Sequence, residues 1–293
     1  MPHTPLTALL ALALSIPTHL VAQADSASRS WNQPVPPFRI IDSVYYVGAS
    51  DVTAFLIATS AGHFLLDGGF EQTAPQILAN IRRLGYEATD VRFLLNSHAH
   101  FDHAGGLAAL KQATGAKLLA SPADATLLQR GGLGDFAFGN RLPFPPVTPD
   151  RLLRDGETLE LGGVRLTARF TPGHTKGCTS WSMSAREGGR SHDVLFICSA
   201  TVPGYRLVAN QSFPDIAETY RRTFATLRRL PCDVLLAPHG VFFDLKEKRG
   251  RIESGEKSNP FVDPQRCRAH LRAAEAAFES ELQRQREQAD LTP

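Results

Sequence analysis

Four potential metal ligands lie within six residues of one another in the sequence. Residues 97–106 read S-H-A-H-F-D-H-A-G-G and contain His98, His100, Asp102 and His103. Neutral imidazole and carboxylate are ligands that zinc takes in proteins when thiolate is absent. Because one ion cannot easily use all four groups from so short a loop, their spacing predicts two metal ions side by side.

Two further histidines follow predicted strands in the second half of the chain. His174 lies in the sequence T-P-G-H-T, and His239 lies in A-P-H-G. Together with the first four groups they make six candidate ligands, which is enough for two zinc ions with three protein ligands each. Catalytic zinc keeps a position open for water, whereas structural zinc is closed by four ligands. The remaining histidines lie in the N-terminal segment or lack suitable neighbours, and they are His3, His19, His63, His192 and His270.

The hydrophobic pattern places each candidate ligand in a loop at the end of a strand. We predict strands at residues 38–48, 53–59, 63–66, 90–96, 117–120, 194–198 and 233–237, and strand pairs within residues 152–170. We predict helices at residues 71–84, 104–114, 122–128, 214–230 and 263–288. Each half of the chain has strands, then a helix, then a strand that ends at a histidine-bearing loop. We therefore expect two similar halves with a boundary near residue 150.

Residues 131–146 differ in composition from the rest of the chain. They read G-G-L-G-D-F-A-F-G-N-R-L-P-F-P-P, which is too rich in Gly and Pro for regular structure. Three Phe side chains in such a loop predict a flexible apolar flap over a site. The alternative is a loop whose Phe side chains pack against the protein.

The length and charge of the chain limit the class of protein. With 293 residues, of which 43% are hydrophobic, it can form one large domain or two small domains with a sizeable core. The formal net charge of +2 does not indicate nucleic acid as a partner. No apolar run reaches the roughly 18 residues that a membrane span needs, so we expect no membrane association.

The N-terminal segment has the composition of an export signal. Residues 6–16 are apolar, and A-Q-A at residues 22–24 matches an A-x-A cleavage site. We assign residues 1–24 to a signal peptide and residues 25–293 to a single domain, although His3 is the only basic side chain before the apolar run. The alternative is a frayed N-terminal helix. Export would place the protein in the periplasm or outside the cell, where disulfides form.

The four cysteines allow three ways of forming two disulfides in an exported protein. We favour Cys232–Cys267, which would connect the last helix to a strand and close a long loop, with a contribution of roughly 3–4 kcal/mol. Cys178 and Cys198 lie in or near apolar strand-like segments, and we expect both to be buried thiols. A second disulfide is the alternative.

The histidine motifs resemble those of the metallo-β-lactamase superfamily. H-A-H-F-D-H matches the pattern H-x-H-x-D-H, and T-P-G-H-T and A-P-H-G match the later histidine motifs at suitable separations. The resemblance covers essentially the whole mature chain. It implies an α+β fold, a four-layer αββα sandwich in which two mixed sheets are flanked by helices and the metals lie at the seam between the halves.

Further segments resemble the class B β-lactamases of subclass 3. They are P-G-H-T-K-G-C-T-S-W, S-A-T-V-P-G-Y-R-L, L-P-C-D-V-L-L-A-P-H-G and N-P-F-V-D-P. The signal peptide and the bridge between Cys232 and Cys267 fit that group. The resemblance implies two Zn²⁺ ions, the first bound by His98, His100 and His174 and the second by Asp102, His103 and His239.

An alternative ligand for the second zinc ion is a cysteine. Other β-lactamase subclasses use a Cys after the T-P-G-H motif, and Cys198 is close to that place. Aligned on P-G-Y, however, the ligand position falls at Ser199, and His103 supplies the ligand instead. Many other hydrolases of the superfamily bridge both metals with an Asp there. Residues 196–205 contain no Asp or Glu, which argues against a glyoxalase II-like or lactonase-like site.

The resemblance implies a secreted di-zinc β-lactamase that opens penicillins, cephalosporins and carbapenems through a hydroxide activated by the zinc ions and oriented by Asp102. The predicted substrate contacts are Ser199, Thr201 and Asn210 to its carboxylate, Tyr205 to its carbonyl oxygen and Phe138 to its apolar groups. The alternatives are another metallohydrolase of the same fold, acting on a lactone, thioester or phosphodiester, and a non-enzymatic zinc-binding protein. No heptad seam is evident, so we expect a monomer whose partner is a small-molecule β-lactam.

Overall fold

The computed structural model describes residues 29–291, and the predicted signal peptide, residues 1–24, lies outside the described residues. Within residues 29–291 the chain forms twelve strands in two mixed sheets. Helices flank the two sheets, so the fold is the α+β, four-layer αββα sandwich that the resemblance implies. No helix in this part of the chain is long and apolar enough to span a membrane.

The first sheet contains seven strands in chain order. They are β1 (Phe38–Ile41), β2 (Val44–Tyr46), β3 (Phe55–Thr59), β4 (Gly62–Leu66), β5 (Val91–Leu95), β6 (Lys117–Ala120) and β7 (Arg151–Leu152). Neighbours are antiparallel from β1 to β4 and parallel from β4 to β7. The single strand predicted at residues 38–48 is wrong, because Asp42 adopts a positive φ of 49° and the chain turns back into a hairpin.

The second sheet contains five strands in the order β12-β11-β10-β9-β8. They are β8 (Thr158–Leu161), β9 (Val164–Phe170), β10 (Thr179–Glu187), β11 (Arg190–Phe196) and β12 (Val234–Leu236). Strand β12 is parallel to β11, and the other neighbours are antiparallel. Strand β10 was not predicted, although Ser alternates there with Trp181, Met183 and Ala185, a pattern typical of a half-buried strand.

Helices complete the outer layers and some of the connections. A helical turn at residues 29–31 comes first. The others are α1 (Ala74–Arg83), α2 (Phe101–Ala104), α3 (Leu107–Thr114), α4 (Pro122–Gln129), α5 (Ile216–Leu227), α6 (Leu245–Glu253) and α7 (Pro264–Asp290), with 3₁₀ turns at Glu71–Thr73, Ala88–Asp90 and Gly240–Phe243. Helix α2 lies inside the segment predicted to be the metal-binding loop. Helix α6 was not predicted, because most of its residues are polar or charged.

The main hydrophobic core lies between the two sheets. Phe55 on β3 packs edge-to-face against Phe196 on β11, with ring centroids 5.4 Å apart. Phe64 on β4 and Trp181 on β10 are fully buried in the same cluster. Burial of a large apolar side chain contributes roughly 1.5–3 kcal/mol relative to its exposure. This layer holds the sheets face to face, and it thereby fixes the positions of the loops at their ends.

Each outer layer packs through one apolar stripe of a helix. On the first sheet, α1 contributes Ile77 and Ile81, which are four residues apart and lie on one face of the helix. On the side of the second sheet, Tyr220 and Phe224 of α5 pack against Phe278 of α7, and α7 contacts β12. The polar faces of these helices point to solvent, which explains the 3.6-residue pattern that predicted them.

The four cysteines form two disulfides. Cys232 and Cys267 are paired as predicted, and their bridge connects the segment before β12 to α7. Cys178 and Cys198 also form a disulfide, with Cα atoms 5.8 Å apart, so the prediction of two buried thiols is wrong. Their proximity depends on the antiparallel register of β10 and β11, which the sequence pattern did not reveal. Because a disulfide sulfur provides no thiolate, Cys198 does not serve as a zinc ligand in this state.

We expect the double variant Cys232→Ser/Cys267→Ser to have a free energy of unfolding roughly 3–4 kcal/mol below that of the wild type. The disulfide joins residues separated by 35 positions, so it restricts the unfolded chain. Urea unfolding of both oxidised proteins measures the difference. An unchanged unfolding midpoint, or free thiols in the denatured wild type, would contradict the pairing.

Candidate metal centre

The six predicted ligands meet at one end of the two sheets. They follow three strands, with His98, His100, Asp102 and His103 after β5, His174 after β9 and His239 after β12. The backbone N–H of Thr179 at the start of β10 donates to the carbonyl oxygen of Ser97 at 2.8 Å, which connects the second sheet directly to the first ligand segment. The structure therefore brings together side chains that are far apart in the sequence.

Glycine allows the backbone behind the ligands to pack closely. A Cβ atom on Gly106 would lie 2.2 Å from the carbonyl oxygen of Gly68, a distance that no side chain tolerates. The N–H of Gly68 donates to the carbonyl oxygen of His103 at 2.8 Å. The D-G-G segment after β4 and the H-A-G-G segment of the ligand motif are thus packed backbone to backbone, and this contact supports α2 from behind.

The first group of ligands consists of His98, His100 and His174. One nitrogen atom of each lies within 4.8 Å of the other two, and Nδ1 of His100 is 3.2 Å from Nε2 of His174. Nδ1 of His174 lies 3.0 Å from the carbonyl oxygen of Thr201, which can only accept a hydrogen bond. His174 therefore carries its proton on Nδ1, and its Nε2 directs a lone pair toward the other two histidines.

The second group joins one carboxylate to two histidines. Oδ2 of Asp102 lies 3.2 Å from Nε2 of His103 and 3.3 Å from Nε2 of His239, and the two nitrogen atoms are 3.3 Å apart. Ligands about 2.0–2.1 Å from a tetrahedral zinc ion lie about 3.3 Å from one another, so the spacing of these three atoms fits such an ion. The ring centroid of His98 is 4.4 Å from that of His103, which makes the two groups adjacent.

Burial and charge set the protonation states of the ligands. Burial lowers the pKa of His98 well below its ordinary value, and the neighbouring histidines lower it further. Burial alone would raise the pKa of Asp102, but His103 and His239 bring it well below the usual range. Neutral imidazole and ionised carboxylate are the forms that bind a metal ion. The donor set is therefore chemically suited to zinc-type divalent ions.

Asp51 holds His239 from the side opposite Asp102. Oδ2 of Asp51 accepts a hydrogen bond from Nδ1 of His239 at 2.8 Å, and Oδ1 accepts one from the N–H of Val241 at 2.9 Å. Burial alone would lower the pKa of His239, but its hydrogen bonds to Asp102 and Asp51 raise it to about 9. A carboxylate behind a metal-binding histidine fixes the tautomer and the orientation of its ring. Nothing local in the sequence pairs Asp51 with a histidine 188 residues later.

Asp124 connects the two loops that carry the first group. Its Oδ2 accepts hydrogen bonds from the N–H of Ala99 and the hydroxyl of Thr175, and its Oδ1 accepts one from the N–H of Gly177, all at 2.9 Å. Burial raises the pKa of Asp124 to about 6. Asp124 was not predicted as a site residue, because a carboxylate in the first turn of α4 suggests only a local helix-capping role.

Asp67 supports the ligand segment from the end of β4. Its Oδ1 accepts hydrogen bonds from the N–H of Ser97 at 2.7 Å and from Nδ2 of Asn96 at 3.3 Å. Burial raises the pKa of Asp67 to about 6. The D-G-G sequence directly after a buried strand is a signal that could have identified it, since a carboxylate there faces the neighbouring strand end.

A cavity of about 710 Å³ opens beside the two ligand groups. Its lining combines apolar side chains with a few polar groups, and it includes Trp31, Phe138, Leu142, Phe242, Ser199 and Thr201. The hydroxyl oxygens of Ser199 and Thr201 are 2.9 Å apart. Largely apolar cavities of this size with a few convergent polar groups are typical of small-molecule sites.

In the flap, residues 131–146, one Phe side chain faces the cavity and the other two pack against the protein, so both predicted arrangements occur. Phe138 lines the cavity. Phe136 packs against Tyr205, with ring centroids 5.1 Å apart, and Phe144 is buried. The flap is therefore anchored by two aromatic side chains and presents the third to the cavity.

Two residues predicted to contact the substrate are placed elsewhere by the structure. Tyr205 is 2% exposed, and its hydroxyl donates to the carbonyl oxygen of His174 at 2.9 Å. Asn210 closes a turn, donating to the carbonyl oxygen of Arg206 and accepting from the N–H of Phe213. Neither side chain lines the cavity. The chain after β11 folds back on itself, so Tyr205 supports the loop of His174 and Asn210 shapes a turn.

Comparison with known proteins defines the class of this protein. The family model described as the metallo-beta-lactamase superfamily matches residues 47–239, a range that contains all six predicted ligands. Together with the αββα fold and the paired ligand groups, this match is decisive. The chain belongs to the metallo-beta-lactamase superfamily.

Two solved structures show where in the superfamily the similarity lies. Native FEZ-1 metallo-beta-lactamase from Legionella gormanii is 41% identical, with a TM-score of 0.85, and the match covers 87% of this chain and 98% of that one. BJP-1, a subclass B3 metallo-beta-lactamase of Bradyrhizobium japonicum, is 37% identical, with a TM-score of 0.84, and the match covers 90% and 99%. These comparisons confirm the resemblance to subclass 3 over nearly the whole described chain.

Curated relatives match a shorter part of the chain. A hydroxyacylglutathione hydrolase of Rhodopseudomonas palustris (strain BisB18) is 36% identical over 163 residues, which is 56% of this chain and 52% of that protein. The chain spans about half the length, or less, of the first curated relatives that it matches. This similarity supports assignment of the chain to the metallohydrolases, and it does not identify the substrate.

We expect Asp124→Ala to weaken zinc binding roughly 10- to 100-fold, because the hydrogen bonds that orient the two ligand loops are lost. Equilibrium dialysis against Zn²⁺ with metal analysis measures the affinity. Asp155→Ala is the matched control, since this exposed carboxylate accepts a hydrogen bond from the N–H of Phe170 and contacts no ligand loop. Equal losses in both variants would show that general destabilisation is responsible.

Metal binding to the second group should release a proton from His239. The pKa of about 9 keeps this imidazole protonated at neutral pH, and a metal ion at Nε2 must replace that proton. We therefore expect the affinity of this group to rise about tenfold per pH unit between about pH 6 and pH 8. Calorimetric titration with Zn²⁺ in buffers of different ionisation enthalpy counts the released protons.

The variant Asp51→Asn serves as the comparison for the proton count. It removes one of the two carboxylates that raise the pKa of His239, while its amide oxygen can still accept the hydrogen bond from Nδ1. Fewer protons should then be released near pH 8 than in the wild type. Identical proton release by both proteins would exclude His239 as the source.

Proposed function

We propose that this protein is a di-zinc β-lactamase of subclass B3 that hydrolyses the β-lactam amide of penicillins, cephalosporins and carbapenems. The observation that carries the proposal is the composition of the segment after β11, which faces the ligand groups and offers them no carboxylate. Ser199 lines the cavity there, and residues 196–205 contain no carboxylate. The bridging Asp that the sequence comparison associates with glyoxalase II-like and lactonase-like sites is therefore absent. The similarity to FEZ-1 and BJP-1 over nearly the whole chain supports the same conclusion.

The proposal assigns three ligands to each of two Zn²⁺ ions. One ion is held by His98, His100 and His174, and the other by Asp102, His103 and His239. When bound, the ions lower the pKa of water and polarise the carbonyl group of the substrate. The protein contributes by keeping Asp102 ionised and by fixing the rings of His239 and His174 through Asp51 and the carbonyl oxygen of Thr201.

Asp102 orients the water that attacks the substrate. Its Oδ2 faces His103 and His239, so its other oxygen is available to accept a hydrogen bond from that water. The low pKa of Asp102 keeps the carboxylate ionised and able to accept. The water oxygen forms a bond to the carbonyl carbon, the amide C–N bond breaks, and the nitrogen takes up the proton that the water gives up.

Ser199 and Thr201 are placed to bind the carboxylate of the substrate. Their hydroxyl groups lie at the cavity wall beside the first group and can donate hydrogen bonds into it. Phe138 and Trp31 supply apolar surface for the side groups of the substrate. Such a wall excludes water, which strengthens electrostatic interactions at the reacting atoms.

Hydrolysis of a thioester is the second candidate function. The 36% identity to a hydroxyacylglutathione hydrolase of Rhodopseudomonas palustris favours it. The absence of a bridging carboxylate after β11 weighs against it. Turnover of a glutathione thioester much faster than that of any β-lactam would make this the better assignment.

Export to the periplasm or the medium fits the two disulfides, because such bonds persist in oxidising compartments. The signal peptide and the monomeric state remain predictions. We propose that the exported chain acts on small-molecule β-lactams that reach the same compartment.

The proposal predicts that the zinc-loaded protein hydrolyses both a cephalosporin and a carbapenem, and that a chelator abolishes the activity. Spectrophotometry of β-lactam ring opening measures both effects. Adding Zn²⁺ back should restore turnover. Absence of turnover by the zinc-loaded protein would refute the β-lactamase assignment.

We expect His103→Ala to lose the second zinc ion and to lower kcat about 10²- to 10³-fold, because a charge that stabilises the leaving nitrogen is removed. Metal analysis and steady-state kinetics on one cephalosporin measure the two effects. His192→Ala is the matched control, since His192 lies on β11 and does not line the cavity. A metal content of two in His103→Ala would show that another residue completes the second group.

A further inference from the structure

The flap reaches the first ligand group through a buried carboxylate. Asp135 lies in the flap, and its side chain is 4% exposed. Its Oδ1 accepts hydrogen bonds from the N–H groups of Ala137 and Phe138 at 2.8 and 2.7 Å. Its Oδ2 is directed at Nε2 of His100, which is 3.7 Å away. The reaction proposed above uses no part of Asp135.

The tautomer of His100 determines what this contact can do. Nε2 of His100 is buried and has no hydrogen-bond partner among the described residues. Its other ring nitrogen, Nδ1, lies 3.2 Å from Nε2 of His174, which offers a lone pair because Nδ1 of His174 carries the proton. For Nδ1 of His100 to offer a lone pair to the same metal ion, the proton of His100 must lie on Nε2. That N–H then points at the carboxylate of Asp135.

We propose that Asp135 is a positioning residue that couples closure of the flap to metal binding by the first group. Its carboxylate accepts the N–H of His100 when Nδ1 binds the metal, and this contact holds Phe138 over the cavity. Such coupling is reciprocal, so the closed flap also favours the tautomer of His100 that binds metal. The inference rests on the metal centre of the proposed function and is independent of the substrate.

A small shift of the flap toward His100 would complete this contact. The distance between Oδ2 of Asp135 and Nε2 of His100 exceeds that of a hydrogen bond, and a shift of roughly 0.5–1 Å would close it. The ring centroid of Phe138 already lies 5.1 Å from that of His100. The shift would therefore add a hydrogen bond to a contact between the flap and His100 that already exists.

Hydrogen–deuterium exchange of the mature protein, with chelator or with added Zn²⁺, tests the coupling. Amide exchange in a peptide covering residues 134–142 should be roughly tenfold slower with Zn²⁺, because local opening of the flap then requires loss of the contact to His100. Residues 254–258 form an exposed loop outside the cavity lining and serve as the internal reference. Absence of slowing in the wild-type flap would overturn the proposal.

The variant Asp135→Asn separates positioning from local structure. Its amide oxygen can still accept the hydrogen bonds of Ala137 and Phe138, but its NH₂ group cannot accept the N–H of His100. We expect it to keep the circular dichroism spectrum of the wild type, to lose the slowing of flap exchange by Zn²⁺, and to bind Zn²⁺ roughly 10- to 100-fold more weakly. Zinc-dependent slowing equal to that of the wild type would overturn the proposal.

Two further variants complete the experiment. Asp150 lies in the same β6–β7 connection as the flap, and its carboxylate pairs with Lys111 on α3. The variant Asp150→Asn should respond to Zn²⁺ as the wild type does. Asp135→Glu keeps an acceptor and should retain part of the response, and it provides a test if Asp135→Asn does not fold. No β-lactam is present in these measurements, so failure of the proposed activity and failure of the coupling are recorded separately.

Discussion

The carboxylate of Asp124 holds the two loops that carry the first ligand group in register. Its hydrogen bonds connect Ala99, between two ligands of the first group, to Thr175 and Gly177, which follow the third ligand. A buried carboxylate is costly unless all its acceptor positions are used, so neither loop can shift without leaving this group unsatisfied. The distances within the first group therefore depend on a residue that binds no metal.

Three of the histidine ligands have their second ring nitrogen facing an acceptor from a different part of the chain. His239 is held by Asp51 in the loop before β3, and His174 by the carbonyl oxygen of Thr201 after β11. The acceptor nearest His100 is in the flap. These acceptors determine which nitrogen of each ring is available to a metal ion. Because the same segments also line or border the cavity, metal binding and the shape of the substrate site are linked.

The proposed choice of β-lactam over thioester chemistry rests on one short segment rather than on the fold. Relatives named for both activities share the superfamily, and one αββα scaffold can support several hydrolytic reactions. Here the segment after β11 places Ser199 at the cavity and contributes no carboxylate. Because His103 belongs to the H-x-H-x-D-H pattern of the whole superfamily, the missing carboxylate after β11 is the feature that distinguishes the proposed site from one with a bridging Asp.

The sequence alone identified the six candidate ligands, because ligand chemistry and position at a strand end are local properties that a short motif displays. It also predicted most helices and strands from their hydrophobic periodicity. Only the tertiary structure decided the Cys178–Cys198 disulfide, which depends on strand register, and the supporting role of Tyr205, which depends on how the chain folds back after β11. The carboxylates behind the ligands were hidden for the same reason. A hydrogen bond between residues as distant as Asp51 and His239 leaves no pattern in the sequence around either partner.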